Sequence, residues 1–178
     1  MIKNSSIRVR FAPSPTGVMH LGNVRAALIN YLFAKQKDGT FILRIEDTDE
    51  QRNVDPRANK IMADLAWLKL MFDEGPGKNE KYGPYYQSER SDIYKTHLDI
   101  LKEKNLVYRC FCTQEELEKK RQRQLALKFP PKYDRACLNL PQSAIDERLA
   151  KNMPFIWRFK LDSTKKANFL DLGHKNMS

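Results

Sequence analysis

Residues 7–23, IRVRFAPSPTGVMHLGN, decide the fold of this chain, because they combine a strand, a turn and the start of a helix. Ile7, Val9 and Phe11 alternate with two arginines, which is the period of a β-strand. The prolines and the glycine of the APSPTG segment then end the strand. From about His20 the apolar residues recur at helical spacing. A polar turn therefore leads into a helix N-terminus, whose free N–H groups can bind a phosphate.

A second predicted strand, residues 41–45, follows the first predicted helix, residues 20–37. We expect Gly39 to end that helix, since glycine readily adopts the left-handed conformation found at helix C-termini. Strand, helix and strand in this order predict a βαβ unit with parallel strands. Ligands of such sheets bind beyond the carboxyl ends of the strands. The APSPTG turn and the acidic segment EDTD, residues 46–49, both fall at that edge.

The remaining sequence predicts a helix and then an α+β region. Pro56 is an allowed opening residue for a helix, and Ser88 and Thr113 are predicted to cap two others. The predicted elements are helices at residues 56–71, 89–104, 113–127 and 143–151, and strands at residues 107–111 and 155–160. A domain boundary is expected near residue 86. Residues 1–86 then form half of a nucleotide-binding fold, and residues 87–178 form an α+β domain inserted into it.

The composition favours an intracellular protein with a polyanionic partner. The 178 residues carry a net charge of +10, which suits RNA, although a basic solvated surface accounts for it equally well. No segment approaches the roughly 20 apolar residues of a membrane span, and the N-terminus lacks the apolar run of a signal peptide. Three cysteines, an odd number, indicate a reducing compartment rather than a disulfide framework. We expect a cytoplasmic monomer that does not contact a membrane.

The string RFAPSPTGxxHxGN at residues 10–23, followed by RxALxNYLFA, resembles the first signature of class I aminoacyl-tRNA synthetases, in the form found in glutamyl-tRNA synthetases. RIEDTD at residues 44–49 is a second match at the expected distance, and the two together are very specific. The resemblance implies an α/β fold, the first half of a Rossmann-like class I catalytic domain with an inserted α+β domain that binds the tRNA acceptor end. The implied function is ATP-dependent ligation of glutamate to tRNA(Glu) through glutamyl-adenylate.

The nucleotide site is expected at the start of the first helix. A histidine near a helix N-terminus can donate a hydrogen bond to a phosphate under attack, whereas an isolated one would be an ordinary surface residue. The resemblance implies that His20, Gly22 and Asn23 form the catalytic element. It also implies that Thr16 and Gly17 bind ATP together with His20 and Gly22. Mg²⁺ is expected to bridge the ATP phosphates.

The glutamate site is expected at the end of the first strand. Arginine binds carboxylates in bidentate fashion, and a glutamate side chain suits an ammonium group. The resemblance assigns Arg10 to the side-chain carboxylate, Ala12 and Ser14 to substrate positioning, and Glu46 to the amino group. Ser14 favours glutamate, because glutaminyl enzymes tend to have Glu at that position; charging of tRNA(Gln) as well stays open. From the residues alone, Arg10 and Glu46 could instead pair with each other.

Three cysteines are candidates for a zinc site in the second region. Cys110 and Cys112 are two residues apart on a predicted strand, which places both thiols on one face. With Cys137 they give three of the four ligands of tetrahedral zinc, and the candidates for the fourth are Tyr133 and Asn139. The resembled family has the tyrosine in some members and a histidine at the position of Asn139 in others. The alternative is three reduced cysteines packed as small apolar residues.

The tyrosine-rich segment YGPYYQSER contains two candidates for contacting tRNA, Tyr86 and Arg90. Aromatic rings near an arginine suit stacking on single-stranded RNA ends, and a packed tyrosine-rich loop is the alternative. The family's KMSKS-like signature has no counterpart, so we expect this chain to correspond to the first third of a longer enzyme and to be inactive alone. The other candidate functions are a glutamyl-queuosine tRNA(Asp) synthetase, which usually has a closer-set cysteine pattern, and a non-catalytic tRNA-binding fragment.

Overall fold

The structure is a computed structural model that describes residues 7–55, 57–162, 164–171 and 175–177. The chain divides into two compact units, residues 1–95 and residues 96–178. This division lies further along the chain than the boundary expected near residue 86. Within the described part of the chain, no helix has the length and apolar character needed to cross a membrane.

Unit 1 begins with a βαβ arrangement. Strand β1 spans Arg8–Phe11, helix α1 spans Leu21–Gln36 and strand β2 spans Thr40–Leu43. The two strands are parallel and pair along their whole length. The predicted βαβ unit is therefore confirmed, although β2 ends at Leu43 rather than at the predicted Ile45.

The end of α1 differs from the prediction in which residue turns the chain. Asp38, not Gly39, adopts the left-handed conformation, with a φ of 50°. Gly39 is required for another reason: a Cβ at this position would lie 2.7 Å from the carbonyl oxygen of Ile7. That same oxygen accepts a hydrogen bond from the N–H of Thr40 at 2.9 Å, so the close approach belongs to the start of the β1–β2 pairing.

Helix α2 spans Asn59–Trp67 and supplies much of the core of unit 1. The predicted opening at Pro56 lies outside the described residues. The helix ends before the predicted residue 71 because Lys69 has a left-handed φ of 59°, which a right-handed helix cannot accommodate. The buried cluster of this unit combines both strands with both helices: Phe11, Ala27, Ala34, Phe41, Leu43, Ile45, Ala58, Ile61, Leu65 and Leu70.

The predicted loop at residues 73–87 runs along the edge of β2 that does not pair with β1. Leu43 donates its backbone N–H to the carbonyl of Glu74 at 2.9 Å, and Ile45 donates to the carbonyl of Tyr85 at 2.8 Å. A single 3-10 turn, Glu80–Tyr82, lies between these two contacts. The loop thereby pairs with an edge of β2 that would otherwise expose unsatisfied backbone groups.

Ser88 does not cap a helix as predicted. The chain forms a 3-10 turn over Gln87–Arg90 before helix α3 begins, and α3 spans Ser91–Glu103. The Ser88 hydroxyl instead donates to Oδ2 of Asp47 at 2.6 Å, and the Ser88 backbone N–H donates to Oδ1 at 2.9 Å. The buried Asp47 carboxylate therefore ties the EDTD segment to the start of this turn.

Unit 2 is built around a short antiparallel pair of strands. Strand β3 spans Val107–Cys110 and pairs with β4, Ile156–Phe159. Thr113 caps helix α4 as predicted, since its hydroxyl accepts the N–H of Glu116 at 3.2 Å. The other elements are α4 at Gln114–Ala126, α5 at Gln142–Ala150, and an antiparallel pair, β5 at Phe169–Asp171 with β6 at Lys175–Met177, that was not predicted.

A partly buried ion pair in unit 1 is absent from the sequence-based predictions. The two carboxylate oxygens of Glu74 each accept an N–H from Arg8 at 2.6 Å, and the Tyr85 hydroxyl donates to Oε2 at 2.9 Å. The hydrogen bonds from Arg8, and secondarily the one from Tyr85, hold the pKa of Glu74 below its ordinary value. These contacts join β1 to the loop that covers β2.

We expect Glu74→Gln to lower the free energy of unfolding by about 1–3 kcal/mol at neutral pH, because the variant leaves Arg8 without its counter-charge. The half-exposed Arg8 side chain keeps the effect below that of a fully buried pair. Since the pKa of Glu74 is lowered on folding, the ionised carboxylate stabilises the protein above its unfolded pKa of about 4.3. That stabilisation is lost as the pH falls through the folded pKa.

Urea denaturation at about pH 7 and about pH 3.5 measures this difference. The difference in the free energy of unfolding between the wild-type chain and Glu74→Gln should shrink at the lower pH. Glu50→Gln, which changes an exposed carboxylate, should match the wild type at both pH values. A gap of the same size at both pH values would contradict the expected role of the ion pair.

Candidate functional site

A cleft of about 560 Å³ lies beside the APSPTG turn and the N-terminal end of α1. It collects most of the residues predicted to bind glutamate and ATP. These lining residues are Arg10, Ala12, Ser14, Thr16, Gly17, His20 and Asn23. Two predicted site residues, Gly22 and Glu46, are not part of the lining.

His20 is the N-cap residue of α1. Its Nδ1 accepts the backbone N–H of Gly22 at 3.1 Å, and its own backbone N–H donates to Oδ1 of Asn23 at 3.2 Å. Because Nδ1 is an acceptor, the neutral ring carries its proton on Nε2. The exposed imidazole therefore offers an Nε2–H donor at the positive end of the helix dipole.

Gly22 provides the space in which the His20 ring lies. A Cβ at Gly22 would approach the imidazole to 2.9 Å at Cε1 and 3.1 Å at Nδ1. Contacts this short force a side chain to move. The glycine thus leaves room for the histidine in its capping position, in addition to the ATP-binding role that the resemblance implies.

We expect Gly22→Ala to displace the His20 ring without destabilising the fold. Alanine has the higher helix propensity, so the free energy of unfolding should change by no more than about 1 kcal/mol. Binding of a nucleotide ligand should weaken about 10-fold through the loss of one hydrogen bond to a charged group. Calorimetry in a double-mutant cycle with His20→Ala measures the coupling. If Gly22→Ala weakened nucleotide binding just as much in the His20→Ala background, it would not act through the His20 ring.

The backbone holds the APSPTG turn against the acidic segment. The N–H of Glu46 donates to the carbonyl of Pro13 at 2.9 Å, and the N–H of Val54 donates to the carbonyl of Pro15 at 3.1 Å. Just before this turn in the chain, at the end of β1, the carbonyl of Phe11 accepts the backbone N–H of Arg44 at 3.1 Å. The two segments therefore lie side by side beyond the ends of β1 and β2, as the βαβ argument predicts.

Arg10 and Glu46 do not pair with each other, so that alternative is wrong. Oε1 of Glu46 accepts Nη2 of Arg44 at 2.7 Å. Among the residues described, the exposed Arg10 guanidinium forms no ion pair or side-chain hydrogen bond, and Oε2 of Glu46 accepts none. Arg10 thus presents an uncompensated positive charge to the cleft, while one Glu46 oxygen keeps its capacity to accept a hydrogen bond.

Arg44 was not predicted as a partner of Glu46, yet strand alternation could have found it. Residues two apart on an extended chain share a face, and these two residues flank Ile45 in just that relation. The Arg44 side chain is about one-fifth exposed, so its charge acts in a partly dehydrated setting.

Tyr86 and Arg90 both take part in contacts within unit 1. The Tyr86 hydroxyl donates to the carbonyl of Arg57 at 3.0 Å, and the Arg57 guanidinium lies 5.1 Å from the centre of the Tyr86 ring. Nη1 of Arg90 donates to the carbonyl of Pro84 at 2.6 Å. Both side chains are half-buried, in keeping with a packed tyrosine-rich loop.

The three cysteines of unit 2 form a compact cluster. Their Sγ atoms all lie within 4.8 Å of one another, and the Cys112 and Cys137 sulfurs are 3.6 Å apart. The Tyr133 hydroxyl lies 3.0 Å from the sulfur of Cys110 and 3.6 Å from that of Cys112. Asn139 is exposed, and in the described chain it forms no hydrogen bond to these sulfurs. Three thiols and a phenol oxygen therefore converge, a donor set that fits a four-coordinate zinc ion.

The surroundings of the cluster shift the pKa values of Cys110 and Cys112 in opposite directions. Burial alone would raise the pKa of Cys110, but hydrogen bonds from Tyr133 and Arg158 outweigh it and lower the pKa to about 7. Burial raises the pKa of Cys112 to about 11. Cys110 is thus close to the thiolate form that binds metals. Arg158 on β4 was not predicted to act here, because only the β3–β4 pairing brings it to the cysteines.

The sequence model for "tRNA synthetases class I (E and Q), catalytic domain" matches residues 6–177 of this chain. A glutamate–tRNA ligase from Malacoplasma penetrans is 47% identical over 177 residues, which cover 99% of this chain and 36% of the relative. One from Bacillus pumilus is 45% identical, with 94% and 35% covered. This chain therefore spans about a third of the length of these relatives.

Solved structures give the same result. The crystal structure of a glutamate tRNA ligase from Elizabethkingia meningosepticum, in complex with its amino acid, superimposes with a TM-score of 0.84 at 39% identity. The glutamate-tRNA synthetase from Elizabethkingia anophelis gives a TM-score of 0.86, also at 39% identity. Both alignments cover 97% of this chain and 36% of the solved one. The predicted Rossmann-like class I fold is thereby confirmed, and the chain belongs to the family of class I tRNA synthetase (E and Q) catalytic domains.

Proposed function

We propose that this chain supplies the amino-acid and nucleotide site of a glutamate–tRNA ligase, which makes glutamyl-adenylate from glutamate and ATP and then esterifies tRNA(Glu). The observation that carries the proposal is the cleft beside α1, where an unpaired arginine and a histidine donor at a helix N-terminus line the same space. An arginine suits a carboxylate and a helix N-terminus suits a phosphate, so one cleft meets both halves of the adenylate. The full-length relatives carry the same activity in their names.

In the first step the α-carboxylate of glutamate attacks the α-phosphorus of MgATP, and pyrophosphate leaves. Negative charge grows on the oxygens of that phosphorus in the transition state. The Nε2–H of His20 and the positive end of the α1 dipole would stabilise this charge, and Asn23 helps to hold the histidine in position. In the second step a hydroxyl of the terminal ribose of tRNA attacks the glutamyl carbonyl, and AMP leaves.

Glutamate selection follows from the charges beside the cleft. Arg10 binds the side-chain carboxylate, while Ser14 and the backbone of Ala12 position the substrate. The free oxygen of Glu46 accepts the α-ammonium group, and Arg44 keeps the Glu46 carboxylate in one orientation through its 2.7 Å hydrogen bond. The exposed Arg10 guanidinium needs no rearrangement of an internal ion pair to bind the ligand.

Contacts with tRNA fall to the basic remainder of the chain. We assign residues 87–178 to an inserted domain that binds the acceptor end, with Arg90 near its start and Tyr86 just before it. The net charge of +10 supports a polyanionic partner. Zinc, bound by Cys110, Cys112, Cys137 and Tyr133, would give this small domain part of its stability. The enzyme would act in the cytoplasm as a monomer.

Binding of a non-hydrolysable glutamyl-adenylate analogue, the sulfamoyl adenosine of glutamate, tests the proposal by calorimetry on this chain. We expect it to bind at least about 10-fold more tightly than the glutaminyl analogue, because only the former presents a carboxylate to Arg10. Arg25→Gln removes a charge from an exposed position on α1 that does not line the cleft, and it should bind like the wild type. Retained tRNA binding without affinity for either analogue would instead identify a non-catalytic tRNA-binding fragment.

A further inference from the structure

We infer that Arg158 is a positioning residue of the thiol cluster, whose guanidinium offsets the charge of the metal-bound thiolates and braces the Tyr133 ring. It would thereby set how long a zinc ion stays bound. This inference rests on the zinc site proposed for unit 2, and it concerns a residue outside the proposed ligand set.

The position of Arg158 is fixed by the backbone. It lies within β4, opposite Tyr108 in the antiparallel pairing with β3. The guanidinium carbon is 4.2 Å from the centre of the Tyr133 ring. Arg158 also lies close enough to Cys110 for that thiol to raise the pKa of the guanidinium. Its Nε is buried and has no partner among the described residues. One side chain thus stacks on one proposed ligand and lies near a second.

The charge balance of the cluster calls for such a cation. A zinc ion with three thiolates carries a net charge of −1, and the buried cysteines place it out of reach of full hydration. Two other cations of this unit are engaged elsewhere in the described structure. Lys120 pairs with Asp134 at 2.8 Å, and Nη1 of Arg135 donates to the carbonyl of Leu161 at 2.9 Å.

The shape of the side chain also matters. A guanidinium can stack on an aromatic ring and donate N–H groups in its plane at the same time, whereas an ammonium is a strongly hydrated point charge. We therefore expect lysine to restore the charge but not the stacking. Residues that orient metal ligands typically change metal affinity by about 10- to 100-fold when replaced.

The test measures zinc release from the zinc-loaded chain to a chromogenic chelator, for the wild type and for Arg158→Gln, Arg158→Lys and Arg121→Gln. The last variant removes an equal charge from the exposed face of α4. We expect about 10- to 100-fold faster release from Arg158→Gln, a smaller acceleration from Arg158→Lys and a wild-type rate from Arg121→Gln. Zinc content should stay at one ion per chain.

Cobalt substitution adds a readout that a purely structural role would not move. Loss of an N–H donor to a thiolate should shift the sulfur-to-cobalt charge-transfer band to longer wavelength, while the ligand-field bands keep their tetrahedral pattern. Equal release rates for the wild type and both Arg158 variants would overturn the inference and leave the zinc site standing. An equal effect of Arg121→Gln would also overturn it. A wild-type chain that binds no zinc would overturn both.

Discussion

Replacing Arg10 with leucine should weaken binding of the glutamyl-adenylate analogue by about 100- to 1000-fold, because it leaves the ligand's side-chain carboxylate without a counter-charge. The reason lies in what surrounds Arg10. Glu46 is held by Arg44, so among the described groups no protein carboxylate neutralises Arg10 before the ligand arrives. A charge left uncompensated in the free site can be used in full by the bound substrate.

The glutaminyl analogue provides the control for this substitution. It carries an amide where the glutamyl analogue carries a carboxylate, so its affinity should change by less than about threefold in Arg10→Leu. Arg10→Lys retains the charge but not the bidentate geometry, and a loss of about 10-fold is expected. Calorimetry with both analogues gives the comparison. Equal losses of affinity for the two analogues would show that Arg10 supports the turn and does not bind the carboxylate of the ligand.

The features that the sequence predicted well are those that depend on neighbouring residues. The alternation in β1, the APSPTG turn and the capping by Thr113 are local, and the structure contains each of them. The βαβ unit follows almost as directly, since a strand, a helix and a strand in short succession have few ways to pack. Local signals were misleading at Gly39 and Ser88. Gly39 is needed for its close approach to Ile7 rather than for a left-handed turn, and Ser88 bonds to Asp47 rather than capping a helix.

The features that were missed depend on contacts between distant segments. Glu74 lies in a segment rich in glycine and proline, and its partner Arg8 lies in β1, so no local pattern joins them. Arg158 reaches the cysteines only because β4 pairs with β3. In contrast, the cysteines and Tyr133 could be grouped from the sequence, because few residue types bind zinc and their number was small.

Removing zinc should have the largest effect on stability, and it should be confined to unit 2. Its buried cluster consists of Tyr108, Cys110, Phe111 and Cys137, so two of the four buried members are proposed ligands. Without the metal, these thiols contribute only as small apolar groups to a thin core. Loss of a structural metal typically costs more than about 4 kcal/mol.

Hydrogen exchange before and after treatment with a chelator measures this effect segment by segment. Protection should fall in β3 and in the segment around Cys137, while β2 in unit 1 keeps its protection. Cys112→Ser should reproduce the effect without a chelator, because oxygen is a poorer ligand for zinc than a thiolate at this site. Loss of protection in both units to the same degree would contradict a metal that stabilises unit 2 alone.

The fourth ligand can be decided by two matched substitutions. Tyr133→Phe removes only the hydroxyl, which lies 3.0 Å from the Cys110 sulfur, and we expect zinc to bind about 10-fold or more weakly. Asn139→Ala removes the other candidate, which is exposed and forms no hydrogen bond to a sulfur within the described chain, so this variant should bind zinc like the wild type. Competition with a chelator of known affinity measures both. Because phenylalanine keeps the ring under Arg158, a weakening in Tyr133→Phe reports on the oxygen itself; the opposite ranking of the two variants would assign the ligand to Asn139.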